Sequence, residues 1–228
     1  MSKEEILEKI KHGLIVSCQA LKEEPLHGSF IMSRMALAAE GGGAVGIRAN
    51  TIEDIEEIKT YVKLPLIGII KQDYDNSEVY ISPTMVEIKK LILSSADIIA
   101  FDATFRERPD KSSTEDIIKL IHEAGKIAMA DISTFEEGVE AVRLGIDIVS
   151  TTMSGYTPYS PSINGPDFEL IKALTKKLGV PVIAEGRVKT TEDLLDCFQC
   201  GAYSVVIGGA ITRPQNITKY FVEALKRG

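Results

Sequence analysis

Eight short apolar runs punctuate the chain, at Leu14–Cys18, Ala44–Ile47, Leu66–Ile70, Asp97–Phe101, Ile127–Ala130, Asp147–Ser150, Val180–Ala184 and Tyr203–Ile207. None alternates cleanly between apolar and polar positions, which is the pattern of strands covered on both faces. Helical spacing fills the intervals. Glu4–Lys11 precedes the first run, with Ile6, Leu7 and Ile10 on one face. Phe30–Glu40 stops at Gly41-Gly42-Gly43. Thr51 caps a helix that carries Ile52, Ile55 and Ile58, with Asp54 at the capping-box position. Further helices are predicted over Thr84–Leu93, Thr114–Glu123, Thr134–Leu144, Asp167–Leu178 and Thr190–Cys200, and a last one over roughly Gln215–Arg227. Strand and helix thus alternate along the chain, and the pattern predicts an α/β protein of the (β/α)8 barrel type, a TIM barrel, with a short N-terminal helix against its lower end. Residues 1–228 are expected to form one catalytic domain. A doubly wound open sheet is the rival fold, but the first strand–helix turn lacks the GxGxxG pattern.

Composition narrows the class of function. Hydrophobic residues make up 44% and charged residues 26%, an ordinary globular profile. The net charge of -7, without a basic aromatic-rich patch, argues against nucleic acid as a partner. The first residues, MSKEEILEKIKHG, are too charged for a signal peptide, and no apolar run reaches membrane-spanning length. Cys18, Cys197 and Cys200 cannot build a disulfide framework, so a reducing cytoplasm is the expected location. Cys197 and Cys200 form a CxxC late in a helix with no second pair, and read as helix packing. His12, His27 and His122 join no Asp cluster, so no metal site is expected.

Chemistry collects where the strands end. In a barrel all C-terminal strand ends open on one face. That rule gathers Gln19, Arg48, Lys71, Asp102, Asp131, Thr152, Glu185 and Arg187 onto one rim. Lys71 and Glu185 each follow four apolar residues, and a charge at the mouth of a partly dry cavity is expensive without a purpose. Asp102 has a structural reading of equal weight, because Arg106, Glu107 and Arg108 follow it closely. Lys71 can exchange a proton with carbon, or its neutral amine can form a Schiff base. Gly186 and Arg187 follow the seventh strand, and Gly208 and Gly209 the eighth, with Arg213 shortly after. Loops after strands seven and eight, with a short extra helix, are where this fold holds phosphate.

Taken in order, these strand-end segments carry a resemblance to a known family. VSCQALKEEPLHG at 16–28, GGAVGIRAN at 42–50, PLIGIIKQDY at 65–74, IAMADIST at 127–134, STTMSGYT at 150–157, VIAEGR at 182–187 and VIGGAITRP at 206–214 resemble the bacterial N-acetylmannosamine-6-phosphate 2-epimerase family along essentially the whole chain. The resemblance implies an isomerase that interconverts N-acetyl-D-mannosamine 6-phosphate and N-acetyl-D-glucosamine 6-phosphate, a carbohydrate epimerase of sialic acid and amino sugar breakdown. It implies no cofactor and no metal. It makes Lys71 the main proton-transfer residue with Glu185 beside it. Gln19, Arg48, Asp131, Thr152 and Arg187 would line the substrate, and Gly186, Arg187, Gly208, Gly209 and Arg213 its phosphate. The partner is then a phosphorylated amino sugar, with neither nucleic acid nor membrane involved. An exposed helix face could pair two barrels into a homodimer.

Other readings share these residues. A Schiff-base aldolase or lyase would use the same lysine. A phosphosugar isomerase with bulkier substrates would use the same barrel, and a non-catalytic sugar-phosphate sensor would have little need of Lys71 and Glu185 together.

Overall fold

Strands and helices alternate from one end of the chain to the other. The computed structural model describes residues 1–226. The elements run α1 (Lys3–Ile10), β1 (Leu14–Cys18), α2 (Ser29–Gly41), β2 (Gly46–Asn50), α3 (Ile52–Tyr61), β3 (Leu66–Ile69), α4 (Met85–Ile92), β4 (Ile98–Asp102) and α5 (Thr114–Glu123). They continue with β5 (Ile127–Asp131), α6 (Phe135–Arg143), β6 (Ile148–Ser150), α7 (Phe168–Lys177), β7 (Val182–Glu185), α8 (Thr191–Gln199), β8 (Ser204–Ile207), α9 (Gly209–Thr212) and α10 (Pro214–Leu225). The strands pair in sequence order, and β8 closes onto β1 in parallel, so the sheet is a closed barrel. This is the (β/α)8 fold that the pattern predicts, with its N-terminal helix.

Capping explains where many helices start. Thr51, Thr84, Ser113, Thr134, Asp167 and Thr190 each accept a backbone N–H from the first turn of the helix that follows. Each such cap stabilises its helix by about 1 kcal/mol. The expected final helix stops at Leu225, and Arg227 lies outside the described residues.

Two apolar layers hold the barrel. The inner one contains Ile15, Ile67, Ile98, Met129, Ile148 and Val206, and α1 plugs its lower end with Ile6 and Ile10. A capping box between Ser2 and Glu5 starts that plug, and Lys3 pairs with Asp147 to fix it to the barrel. The outer layer lies between strands and helices, where Ile55, Ile58, Ile88, Leu91, Ile117 and Ile121 are each almost wholly buried. Burying a side chain of this size contributes about 1.5–3 kcal/mol.

One boundary corrects the sequence reading in a way that matters for the site. The second strand was expected at Ala44–Ile47, with Arg48 after its end. It runs over Gly46–Asn50, with Arg48 at its centre, registered between Ser17 and Ile67. A charged residue ends a strand only if its charge must reach water. Arg48 finds two carboxylates inside the barrel instead, so the strand continues through it. Asp102 and Asp131 are likewise the last residues of β4 and β5 rather than the first residues beyond them.

Candidate active site

The middle of the barrel mouth is an ion network. Arg48 is 1% exposed and crosses the interior from β2 to β5 and β7. Its Nη2 donates to Asp131 Oδ2 at 2.5 Å, and Nη1 donates to Glu185 Oε2 at 2.7 Å. Thr152 Oγ1 donates to Asp131 Oδ1 at 2.7 Å and also lies 3.2 Å from Glu185 Oε2. Thr151, which the sequence did not single out, pins the Glu185 backbone from both sides through its hydroxyl. Burial favours loss of the Arg48 proton, but the Asp131 and Glu185 carboxylates outweigh it and hold the guanidinium charged. One cation serves two carboxylates. Burial and the Asp131 charge together raise the pKa of Glu185, against the pull of Arg48.

Lys71 stands at the rim of this network. It lies two residues past β3, half-buried, in an antiparallel bridge to Ile81. Asn50 Oδ1, from the end of β2, accepts its backbone N–H at 2.8 Å. Desolvation and the nearby Arg48 and Arg213 cations lower its pKa to about 8, while Glu185 and Asp131 oppose the shift. Whether cations or carboxylates prevail around this lysine was open in the sequence, and desolvation together with the two arginines prevails.

The opposite rim is built from β7 and β8. Gly186 follows β7 with φ +116, a conformation that an L side chain rarely adopts. Gly208 follows β8 and faces β1, where a Cβ would lie in ordinary contact with Ser17, 3.4 Å from its Cβ. The N–H groups of Gly209 and Ala210 open α9 and have no acceptor within their own helix. Arg213 ties this rim to the 20–28 loop. Its Nε and Nη2 donate to the two carboxylate oxygens of Glu24, at 2.6 and 2.9 Å. Its Nη1 lies beside Gly209. Burial would raise the pKa of Glu24, but hydrogen bonds from Arg213 and Leu21 reverse that and keep it low. Glu24 carried no signal in the sequence beyond its charge.

Arg187 makes contacts that the sequence did not reveal. Its Nε donates to Gly165 O at 2.9 Å and its Nη1 to Ser154 O at 2.8 Å, and the guanidinium stacks 5.3 Å from the Tyr156 ring. It therefore holds both ends of the 152–166 loop while Nη2 makes no hydrogen bond within the described residues. On its other side the loop is fastened by Tyr159 to Glu137 and by Thr157 to Ser133.

Gln19 is buried, and its Nε2 donates to Ser17 Oγ at 2.9 Å. Among the described residues its Oε1 has no partner, and neither has Arg48 Nε, although both are buried. Unpaired buried polar atoms are costly, so a ligand that meets them gains affinity. Asp102 takes the structural reading: its carboxylate accepts from Arg106 and Thr104, and Arg108 bonds its carbonyl. Among the described residues no three His, Cys, Asp or Glu side chains gather as a metal-binding group. No described helix is long and apolar enough to cross a membrane.

Known proteins resemble this chain in sequence and in fold. The NanE family model, described as "Putative N-acetylmannosamine-6-phosphate epimerase", matches residues 32–227. A Clostridium perfringens protein named "Putative N-acetylmannosamine-6-phosphate 2-epimerase" is 58% identical over 221 residues, covering 97% of this chain and 100% of its own. A similarly named protein of Caldanaerobacter subterraneus is 54% identical over 224 residues, at 97% and 94% coverage. The solved N-acetylmannosamine-6-phosphate 2-epimerase of Clostridium perfringens superposes with a TM-score of 0.94 at 56% identity, covering 96% of this chain and 95% of its own. A closed eight-stranded barrel and relatives of this identity over nearly the whole chain lead to one conclusion: the chain belongs to the N-acetylmannosamine-6-phosphate epimerase family.

Proposed function

We propose that the chain interconverts N-acyl-D-mannosamine 6-phosphate and N-acetyl-D-glucosamine 6-phosphate by removing and returning the C2 proton, in sialic acid and amino sugar catabolism. The observation that carries this reading is Lys71, a half-buried lysine with its pKa lowered to about 8 beside the Arg48–Asp131–Glu185 network. An ordinary lysine, at roughly 10.4, is too fully protonated at neutral pH to serve as a base. At about 8 an appreciable fraction of Lys71 is neutral near pH 7.

The chemistry then follows from the substrate. Hydrogen on C2 is acidic only when C1 is a carbonyl, so the open-chain sugar is the reactive form. Lys71 takes the C2 proton, and the electron pair moves through C1–C2 onto the carbonyl oxygen. Return of a proton to the opposite face gives the epimer. Glu185, with its raised pKa, is the second group able to carry a proton. Gln19, Arg48, Asp131 and Thr152 line the sugar, and Gln19 Oε1 and Arg48 Nε are the polar atoms left for it to satisfy. The phosphate sits against Gly186, Gly208 and Gly209, with Arg187 Nη2 and Arg213 Nη1 as the cationic edges left uncommitted. Incubation with N-acetylmannosamine 6-phosphate tests this directly: the gluco epimer should accumulate to a fixed ratio from either side, and neither epimer forming from the other would refute it.

The lowered pKa of Lys71 also suits an imine, so a Schiff-base aldolase is the second reading. Borohydride with substrate, followed by intact mass, separates the two. An unmodified protein supports the epimerase, and an adduct on Lys71 supports the aldolase.

We further propose that residues 1–228 act as one catalytic domain in the cytoplasm, where three free cysteines are at home. Two copies would pair through α10, whose Tyr220, Phe221 and Leu225 are 71%, 65% and 82% exposed and want cover. Sedimentation of the protein beside Phe221→Asp tests that pairing: a dimer that dissociates in the variant supports it, and a monomer in both refutes it.

A further inference from the structure

Lys71 supplies a base for C2, while the unpaired donors named above, Arg48 Nε, Arg187 Nη2 and Arg213 Nη1, belong to β2 and to the segments after β7 and β8, and none comes from the β3–β4 side where the oxygen on C1 would lie. Negative charge develops on that oxygen as the proton leaves, and a fixed hydrogen-bond donor there usually carries much of the catalysis. Arg48 has both terminal nitrogens committed to Asp131 and Glu185. The phosphate rim of β7 and β8 is too far away to help, because strand order places β3 and β4 across the barrel from it. An extended sugar with its phosphate on that rim presents C1 and C2 to the loops after β3 and β4.

Tyr80 occupies that side. It lies in the hairpin between β3 and α4, one residue before the Ile81 that bridges to Lys71. Its carbonyl accepts from Gln72 N at 3.0 Å, and its ring packs on the inner barrel cluster. The hairpin is held by bonds from Asn76 to Pro109 O, from Ser77 to Glu107 O, and from Arg106 to Glu78 O. The phenol is half-buried and its hydroxyl makes no hydrogen bond within the described residues. Burial, with Asp102 and Asp131 nearby, pushes its pKa up to about 12, so it keeps its proton at any working pH.

We propose that Tyr80 is a further catalytic residue, whose hydroxyl donates a hydrogen bond to the substrate's C1 oxygen as C2 is deprotonated. The C2–H bond breaks, and its proton passes to Lys71 Nζ. The bonding pair becomes the C1–C2 double bond, and the carbonyl pair moves to oxygen, where the Tyr80 O–H holds it. The Tyr80 proton stays on Tyr80; when a proton is delivered to the opposite face of C2, the C1–C2 pair forms the new C2–H bond and the oxygen pair re-forms the carbonyl, which leaves the epimer. This rests on the epimerase reading above, with Lys71 as base.

The test compares Tyr80→Phe, Lys71→Ala and a chain with 3-fluorotyrosine at position 80, each at full length. A donor used chiefly in the transition state predicts that Tyr80→Phe loses about 100-fold in kcat, with KM held within about twofold. C2 exchange with deuterated water should fall in parallel. The fluorinated ring keeps the shape and donates more strongly, so it should restore kcat to the parent value or above. A Tyr80→Phe enzyme with kcat within about twofold of the parent, or a loss confined to KM, overturns the proposal. If Tyr80→Phe fails to fold, the fluorinated chain decides: a kcat below the parent's contradicts donation. An active Lys71→Ala would instead refute the underlying proton-transfer reading, whatever Tyr80 does.

Discussion

Arg48 and Asp131 meet inside the barrel from positions 83 residues apart in the chain, with Nη2 of one 2.5 Å from Oδ2 of the other. Neither side chain is more than 1% exposed. Removing one partner of a buried ion pair leaves a charge without compensation, at a cost of about 3–5 kcal/mol. Arg48→Leu strands both Asp131 and Glu185 and is expected to lower stability by that amount, read from urea denaturation. An unchanged midpoint would show that the network is not what holds the mouth together.

The position of Lys71 between cations and carboxylates sets a signed pH dependence. A base must be neutral to accept a proton, so kcat/KM should climb with pH and level off above about 8. Arg213 lowers the Lys71 pKa, so Arg213→Gln should move that limb to higher pH. Glu185 raises it, so Glu185→Gln should move the limb to lower pH in whatever activity persists. Displacements of the same sign in both variants would contradict the electrostatic account of the site.

Arg187 touches the 152–166 loop through Ser154 O and Gly165 O, and its Nη2, without an acceptor among the described residues, faces the proposed phosphate. Arg187→Ala is expected to weaken binding of the phosphorylated sugar while leaving the unphosphorylated sugar nearly unaffected. Comparison of KM for the two sugars checks this, and an equal loss on both would remove Arg187 from the phosphate site. The same variant should be nicked faster by protease within residues 152–166.

Gly186 holds φ +116 with nothing nearer a built Cβ than Thr151 O at 3.8 Å. Space is therefore not the obstacle to a side chain there, and conformation is. Gly186→Ala should cost about 1–3 kcal/mol in thermal stability and raise KM for the phosphorylated sugar. A variant as stable as the parent would mean that the turn after β7 is free to relax.

Much of this was legible in the chain because barrel strands are covered on both faces and so read as short unbroken apolar runs. The helix starts were legible because Thr51, Thr134 and Thr190 are capping residues at the right spacing. Lys71 and Glu185 stood out as charges directly following apolar segments. Arg48 was visible as a residue and misplaced as to setting. Its partners lie 83 and 137 residues away, and only closure of the barrel brings them within reach. Glu24 and Tyr80 left no local trace, since a loop carboxylate and a loop tyrosine acquire meaning only from what the fold sets beside them. The place of Arg187 after β7 suggests a phosphate ligand, and its grip on the 152–166 loop depends on a backbone path that no spacing encodes.

The central claim is that Lys71 moves the proton on C2. Proton NMR of N-acetylmannosamine 6-phosphate in deuterated water tests it most directly, with the parent protein and Lys71→Ala side by side. The account predicts loss of the C2 proton signal together with the gluco epimer for the parent, and neither for the variant. Epimer formed with the C2 proton fully retained, or a Lys71→Ala protein that turns over within a few-fold of the parent, would contradict it.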